Sequence, residues 1–140
     1  MKILVDANIA LDVLLERQPF YVSGVRVLGL SKGNIEVFIS ASTITDLYYI
    51  IQRELKCKTT ALTLIKNLIK NIDIAAVTGS EIRRAIALDW GDFEDAVQYA
   101  AGEGVAVDYI VTRNISDFTS VDLPVVTPED LLSIVTGAKA

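Results

Sequence analysis

Five short apolar runs are spaced along the chain, each bounded by polar residues: Met1–Val5, Glu36–Ser40, Ile72–Val77, Tyr109–Thr112 and Pro124–Val126. Runs this short, rich in Ile and Val, suit buried strands. Longer stretches with helical spacing separate them, and strands that alternate with helices form a parallel sheet covered on both faces. The expectation is an α/β chain, a three-layer α/β/α fold around a central parallel sheet. No internal repeat, linker or low-complexity tract interrupts the pattern, and 140 residues suit a single domain over 1–140.

The helices are delimited by local signals. Ile9, Leu11, Val13, Leu14 and Leu15 predict a helix to near Arg17, stopped by Pro19. A second covers Tyr21–Ser31, before the turn at Gly33-Asn34. Ser42 or Thr43 is the expected cap of the helix after the second strand, which runs through Leu55, and Thr43 to Asp46 has capping-box spacing. Thr59 or Thr60 opens the next helix, Ser80 caps one through Leu88, and Gly91-Asp92 opens another to Gly102. Thr127 and Pro128 start the last helix, and 137–140 reads as a frayed tail.

Composition narrows the chemistry. The chain has no histidine, which removes a Ser–His triad, a histidine general base and histidine-containing zinc sites. A single cysteine, Cys57, removes a disulfide framework and cysteine-only zinc or iron–sulfur sites. No signal-peptide pattern opens the chain and no apolar run approaches the ~20 residues of a membrane span, so a cytoplasmic location is expected. The net charge of −5 argues against a nucleic-acid binder, unless the acids surround a bound cation. What remains is chemistry by carboxylates, hydroxyls, lysines or a hard metal held by oxygen.

Four acidic regions stand out. Asp6 follows the first strand, Asp46 lies just inside the helix after the second, Asp92 and Asp95 open a helix, and Asp117 follows the fourth strand. Singly, each has a plain structural reading as a cap, a first-turn acid or a turn residue. Three of the four follow apolar strands, however, and in a parallel sheet they open onto one edge. On their helix, Asp92, Asp95 and Tyr99 are expected on one side, with Phe93, Ala96, Val97, Ala100 and Gly104 on the other, against the sheet. Converging carboxylates raise one another's pKa unless a cation is present, and oxygen-only ligands select Mg²⁺ or Mn²⁺. Elsewhere, Arg53, Lys56, Lys58, Lys66 and Lys70 read as a solvated helical face, Arg83 and Arg84 as surface, and Trp90 as packing.

Five segments in order resemble the PIN-domain ribonucleases, which include the VapC-type toxins of prokaryotic toxin–antitoxin pairs. They are I-L-V-D-A-N at Ile3–Asn8, S-A-S-T-I-T-D-L at Ser40–Leu47, D-F-E-D-A at Asp92–Ala96, I-V-T-R-N-I-S-D-F at Ile110–Phe118 and V-T-P-E-D-L-L at Val126–Leu132. The resemblance implies a metal-dependent endoribonuclease acting on single-stranded RNA, with Mg²⁺ or Mn²⁺ at a compact acidic site. By position, Asp6 matches the first acid, Asp46 the second (where many relatives have Glu) and Asp95 the third. The fourth acid commonly stands as T-x-D; here that position is Asn114, and the chain offers Asp117 instead. The implied catalytic set is Asp6, Asp46, Asp95 and Asp117, with Asp6, Asp95 and Asp117 as metal ligands. Asn8, Asp92, Thr112 and Asn114 are the supporting residues, Thr112 orienting a ligand or water. An antitoxin with a basic segment and a homodimer are further implied. The alternatives are a catalytically silent PIN-like module that binds RNA or protein, and a phosphoacceptor or phosphatase-like doubly wound domain using Asp6; the D-A-N that ends strand one lacks the D-x-D of the phosphatase pattern, and no lysine follows a late strand as in receiver domains.

Overall fold

The computed structural model describes residues 1–118 and 122–137. The apolar runs form five parallel strands: β1 (Lys2–Val5), β2 (Glu36–Ser40), β3 (Asp73–Ala75), β4 (Tyr109–Val111) and β5 (Val125–Val126). Their order is β3-β2-β1-β4-β5. The chain builds outward from β1 to β3 on one side, then returns to pair β4 with the other edge of β1. In register, Val5 lies opposite both Ile39 and Val111. The direction of winding therefore reverses between β1 and β4, and open α/β sheets bind ligands at the carboxyl ends of such strands.

Helices α1 (Ala7–Leu14), α2 (Tyr21–Gly29), α3 (Ala41–Leu55), α4 (Lys58–Leu68), α5 (Gly79–Leu88), α6 (Phe93–Gly104) and α7 (Pro128–Thr136) cover the sheet. Alternation along β1 assigns its two faces. Ile3 and Val5 point into a core with Ile9, Val27, Ile39, Leu47 and Leu131, drawn from α1, α2, β2, α3 and α7. Leu4 points the other way, to Tyr99, Ala101, Ile110 and Phe118. Gly24 lets α2 approach α1: a Cβ there would stand 2.9 Å from Val13 Cγ2. Among the described residues, no helix is long and apolar enough to cross a membrane.

Element boundaries differ from the sequence reading where a cap was placed by residue type alone. Helix α3 starts directly after β2 with Ser40 at the cap position, so Ser42 and Thr43 lie inside its first turn and cap nothing. Helix α4 starts at Lys58 after Cys57, ahead of Thr59 and Thr60. Thr78, not Ser80, caps α5, and Glu81 closes a full capping box with it at 2.7 Å. A Thr with Glu three residues on satisfies two helix-end donors, where Ser80 would satisfy one. Helix α1 stops at Leu14 rather than Arg17, and α2 gives way to a 3₁₀ turn at Leu30–Lys32. Strand β3 is shorter than Ile72–Val77, while α6 runs two residues past Gly102. Asp92 and Thr127 cap α6 and α7 as their positions imply. Of the tail, Gly137 ends α7 in the left-handed region, and 138–140 lie outside the described residues.

Candidate active site

The carboxyl ends of β1 and β4 are tied together at the reversal point. Asp6 leaves β1 as the cap of α1 and accepts a hydrogen bond from the Ala7 N–H at 2.6 Å. Its amide donates to the Val111 carbonyl at 2.9 Å, which fixes the backbone against β4. The Thr112 hydroxyl, wholly buried, donates to Asp6 Oδ2 at 2.7 Å. Asn8 Nδ2 donates to the same oxygen at 3.2 Å and reaches Thr112 Oγ1 at 3.4 Å. Thr112 Oγ1 also accepts from the Asn114 amide at 3.0 Å, so one hydroxyl links the first acid to the turn after β4. Asp6 is 6% exposed, and its carboxylate is held in place by these donors.

Helix α6 supplies the facing acid. Asp92 accepts from the Asp95 amide at 3.1 Å, an end motif that leaves both carboxylates at the same helix terminus. Asp95 is 9% exposed, and its pKa is pushed up to about 7. Burial is the main cause, followed by the negative charges of Asp6, Asp92, Asp117 and Glu94. Asp95 therefore feels three acids that the sequence reading placed here and one, Glu94, that it did not consider.

The remaining candidates take distinct positions. Asp46 sits on α3 beside Glu94: its charge is the leading cause of the raised Glu94 pKa, with burial and Asp92 adding to it. Burial raises the pKa of Asp46 as well. Asp46 does not figure among the charges acting on Asp95. Asp117 ends an exposed 3₁₀ turn, Ile115–Asp117, and Asn114, also exposed, accepts from its amide at 3.0 Å. Among the described residues, no three acids stand close enough to form a metal-binding group.

Neither expected side of α6 is a solvent side over most of its length. Tyr99, on the helix side of Asp92 and Asp95, is turned away from water. It is buried against Trp90, with ring centroids 5.2 Å apart, and its hydroxyl accepts from the Asp122 amide at 2.9 Å. Phe93, assigned to the sheet side, is exposed. Every residue from Asp95 to Gly102 is buried, because α5, the sheet and α3 all pack against α6. A helix enclosed on several sides has no polar face for periodicity to find. Trp90 is packing, edge-on to Phe118 at 5.8 Å.

Two charged residues near the site were not singled out from the sequence. Asp12, in the first apolar helix, is 1% exposed, and Arg113 donates to both its oxygens at 2.7 and 3.1 Å. The Arg113 guanidinium lies 3.9 Å above the Phe20 ring. The available signal was a lone acid inside an apolar helical run, which requires a partner when buried.

A family model described as PIN domain matches residues 2–116. The chain belongs to the PIN-domain family. This PIN domain is 30% identical over 137 residues to Ribonuclease VapC1 of Aquifex aeolicus (strain VF5), an alignment that covers 92% of each chain. Its fold is similar to that of VapBC2 from Rickettsia felis, solved bound to a DNA fragment from their promoter: the TM-score is 0.70 at 17% identity, over 91% of this chain and 98% of that one. It is also similar in fold to VapC20 of Mycobacterium tuberculosis, a sarcin-ricin loop cleaving toxin, with a TM-score of 0.64 at 14% identity, over 77% and 86% of the two chains.

Proposed function

We propose that this PIN domain is a Mg²⁺- or Mn²⁺-dependent endoribonuclease acting on single-stranded RNA, the toxin of a toxin–antitoxin pair. The observation that carries the reading is Asp95: a carboxyl raised to about 7, first by burial and then by the charges of four other acids. Such an assembly is unfavourable by itself and becomes favourable around a divalent cation. The donor set is all oxygen, which suits Mg²⁺ or Mn²⁺. Membership of the PIN family and the likeness to Ribonuclease VapC1 support the same chemistry.

Asp6, Asp95 and Asp117 are the residues that would hold the ion, with Asp46 and Glu94 adding negative charge beside it. A bound divalent ion supplies Lewis acidity toward a phosphodiester and toward water. The chain supplies the rest. Thr112 and Asn8 keep Asp6 oriented through the donors described above. Asp92 anchors the first turn of α6, so Asp95 is presented from a rigid element. A cation held at Asp95 would favour its charged form against the burial and the acids that raise its pKa.

The acidic edge also fits a basic protein segment, since an Arg fork pairs well with carboxylates. An antitoxin that inserts Arg or Lys there would replace the charge of the ion. The neighbouring VapBC folds make a protein partner of that kind the reading of choice. A homodimer accompanies it by family resemblance.

The test is cleavage of a labelled single-stranded RNA with Mn²⁺ and after EDTA, beside a duplex of the same sequence. Cleavage confined to the single strand and to the metal-loaded sample is the expected result. Binding of RNA without cleavage at any Mn²⁺ concentration would favour the silent module, a reading to which Asn114 in place of the usual acid lends weight.

A further inference from the structure

Gln98 lies one helical turn beyond Asp95 and is 4% exposed. Its Nε2 donates to Asp95 Oδ1 at 3.3 Å, a bond buried within the protein. Residues three apart on a helix share a face, so the amide rests directly on the carboxylate. Its other end, Oε1, is buried with no hydrogen-bond partner. An unsatisfied buried acceptor lowers stability. Ala96, Val97, Tyr99, Ala100 and Ala101, which flank it along α6, are buried as well. A leucine or methionine would fill such a position without leaving an oxygen stranded. Stability alone therefore does not account for a glutamine here.

The donor end explains it. The Asp95 carboxylate stands among four acids that repel it, and Gln98 is a neutral donor set against that crowd. Arg or Lys at the same place would neutralise Asp95 and compete with a cation; an amide holds the carboxylate in one orientation and leaves its charge available. At 3.3 Å the bond is longer than the 2.7–2.9 Å typical of hydrogen bonds to ionised groups, so it has room to tighten.

We propose that Gln98 is a positioning residue: its Nε2–H holds the Asp95 carboxylate in the orientation that receives a divalent cation, at the cost of a stranded Oε1. This rests on the reading of the acidic edge as a cation site. Groups that orient ligands from behind commonly change metal affinity by 10–100-fold when removed.

The experiment is a Mn²⁺ titration followed by electron paramagnetic resonance, with the metal alone and no RNA, on the native chain, Gln98→Leu and Gln98→Met. Thermal melting of the metal-free proteins is recorded alongside. The expected result is Mn²⁺ affinity weaker by about tenfold in both variants, with metal-free melting temperatures equal to or above that of the native chain. Should Gln98→Leu fail to fold, the more flexible methionine of Gln98→Met gives the same reading. Native affinity with a lowered melting temperature would make Gln98 a packing residue and overturn the inference alone. Absence of Mn²⁺ binding by the native chain itself would overturn the cation site and this inference with it.

Discussion

Arg113 grips the buried carboxylate of Asp12 with two hydrogen bonds, and so joins the middle of α1 to the turn after β4. Asp6 starts α1 and Asn114 starts that turn, so the ion pair braces both sides of the candidate site from behind. Phe20 covers the guanidinium from the α1–α2 connection.

The pair is asymmetric in exposure, at 1% for the Asp12 side chain and 26% for Arg113. Removing Arg113 strands a buried charge; removing the charge on Asp12 leaves a cation that reaches water. Arg113→Met is expected to cost ~3–5 kcal/mol of stability, the range for breaking a buried pair. Asp12→Asn is expected to cost less. Urea unfolding of the two variants checks the order, and an equal or reversed ranking would show that burial of Asp12 is not the deciding factor.

The raised pKa of Asp95 makes stability depend on pH. Its folded value, about 7, lies above the ordinary 3.8, so between these values the folded state binds more protons than the unfolded one. Stability of the metal-free protein is then expected to fall as pH rises from about 4 to 7, with a limiting slope of ~1.4 kcal/mol per pH unit for one proton. Asp46 and Glu94, also raised, act with the same sign. Asp95→Asn is expected to flatten the profile and to raise stability at pH 8. A melting temperature that climbs through this window in the native chain would contradict the assignment.

Thr112 is wholly buried and serves Asp6, Asn8 and Asn114 with one hydroxyl. Thr112→Val keeps the shape and removes the donor. The expected loss is ~1–3 kcal/mol, the cost of leaving buried polar groups unpaired, together with weaker Mn²⁺ binding. Thr112→Ser is expected to recover most of the Mn²⁺ affinity. Melting curves and Mn²⁺ titration on the two variants separate the hydroxyl from the methyl.

Sequence patterning made the layers and the sheet edge legible because parallel strands are short, apolar and followed by the polar residues of that edge. Ile3 to Asp6 and Ile110 to Thr112 show this directly. Patterning failed on α6, where burial on several sides hides Tyr99 and Gln98 from any two-sided helical scheme. Caps placed by residue type failed at Ser42 and Ser80, since a cap depends on where the preceding strand or turn ends. Glu94 was invisible for another reason: its contribution is an electrostatic one, with Asp46 on α3, far off in the chain, and with its own neighbour Asp95.

Asp117 and Asn114 stand on the same turn after β4. Asp117 acts electrostatically on Asp95 from an exposed turn, so Asp117→Asn is expected to weaken Mn²⁺ binding with little change in metal-free stability. Asn114→Asp adds a second charge on the same turn and is expected to hold or tighten the ion. Calorimetric Mn²⁺ titration of both variants decides it: unchanged affinity in Asp117→Asn with loss in Asn114→Ala would assign the ligand to Asn114.

The central claim is that the Asp6–Asp95 edge cleaves RNA with a divalent ion. Its most direct measurement is the cleavage rate of a 5′-labelled single-stranded RNA as Mn²⁺ is titrated into the native chain, Asp6→Ala and Asp95→Asn. The expected result is a saturable rise for the native chain that is absent from both variants and reversed by EDTA. Cleavage at the native rate in EDTA, or in either variant, would contradict it.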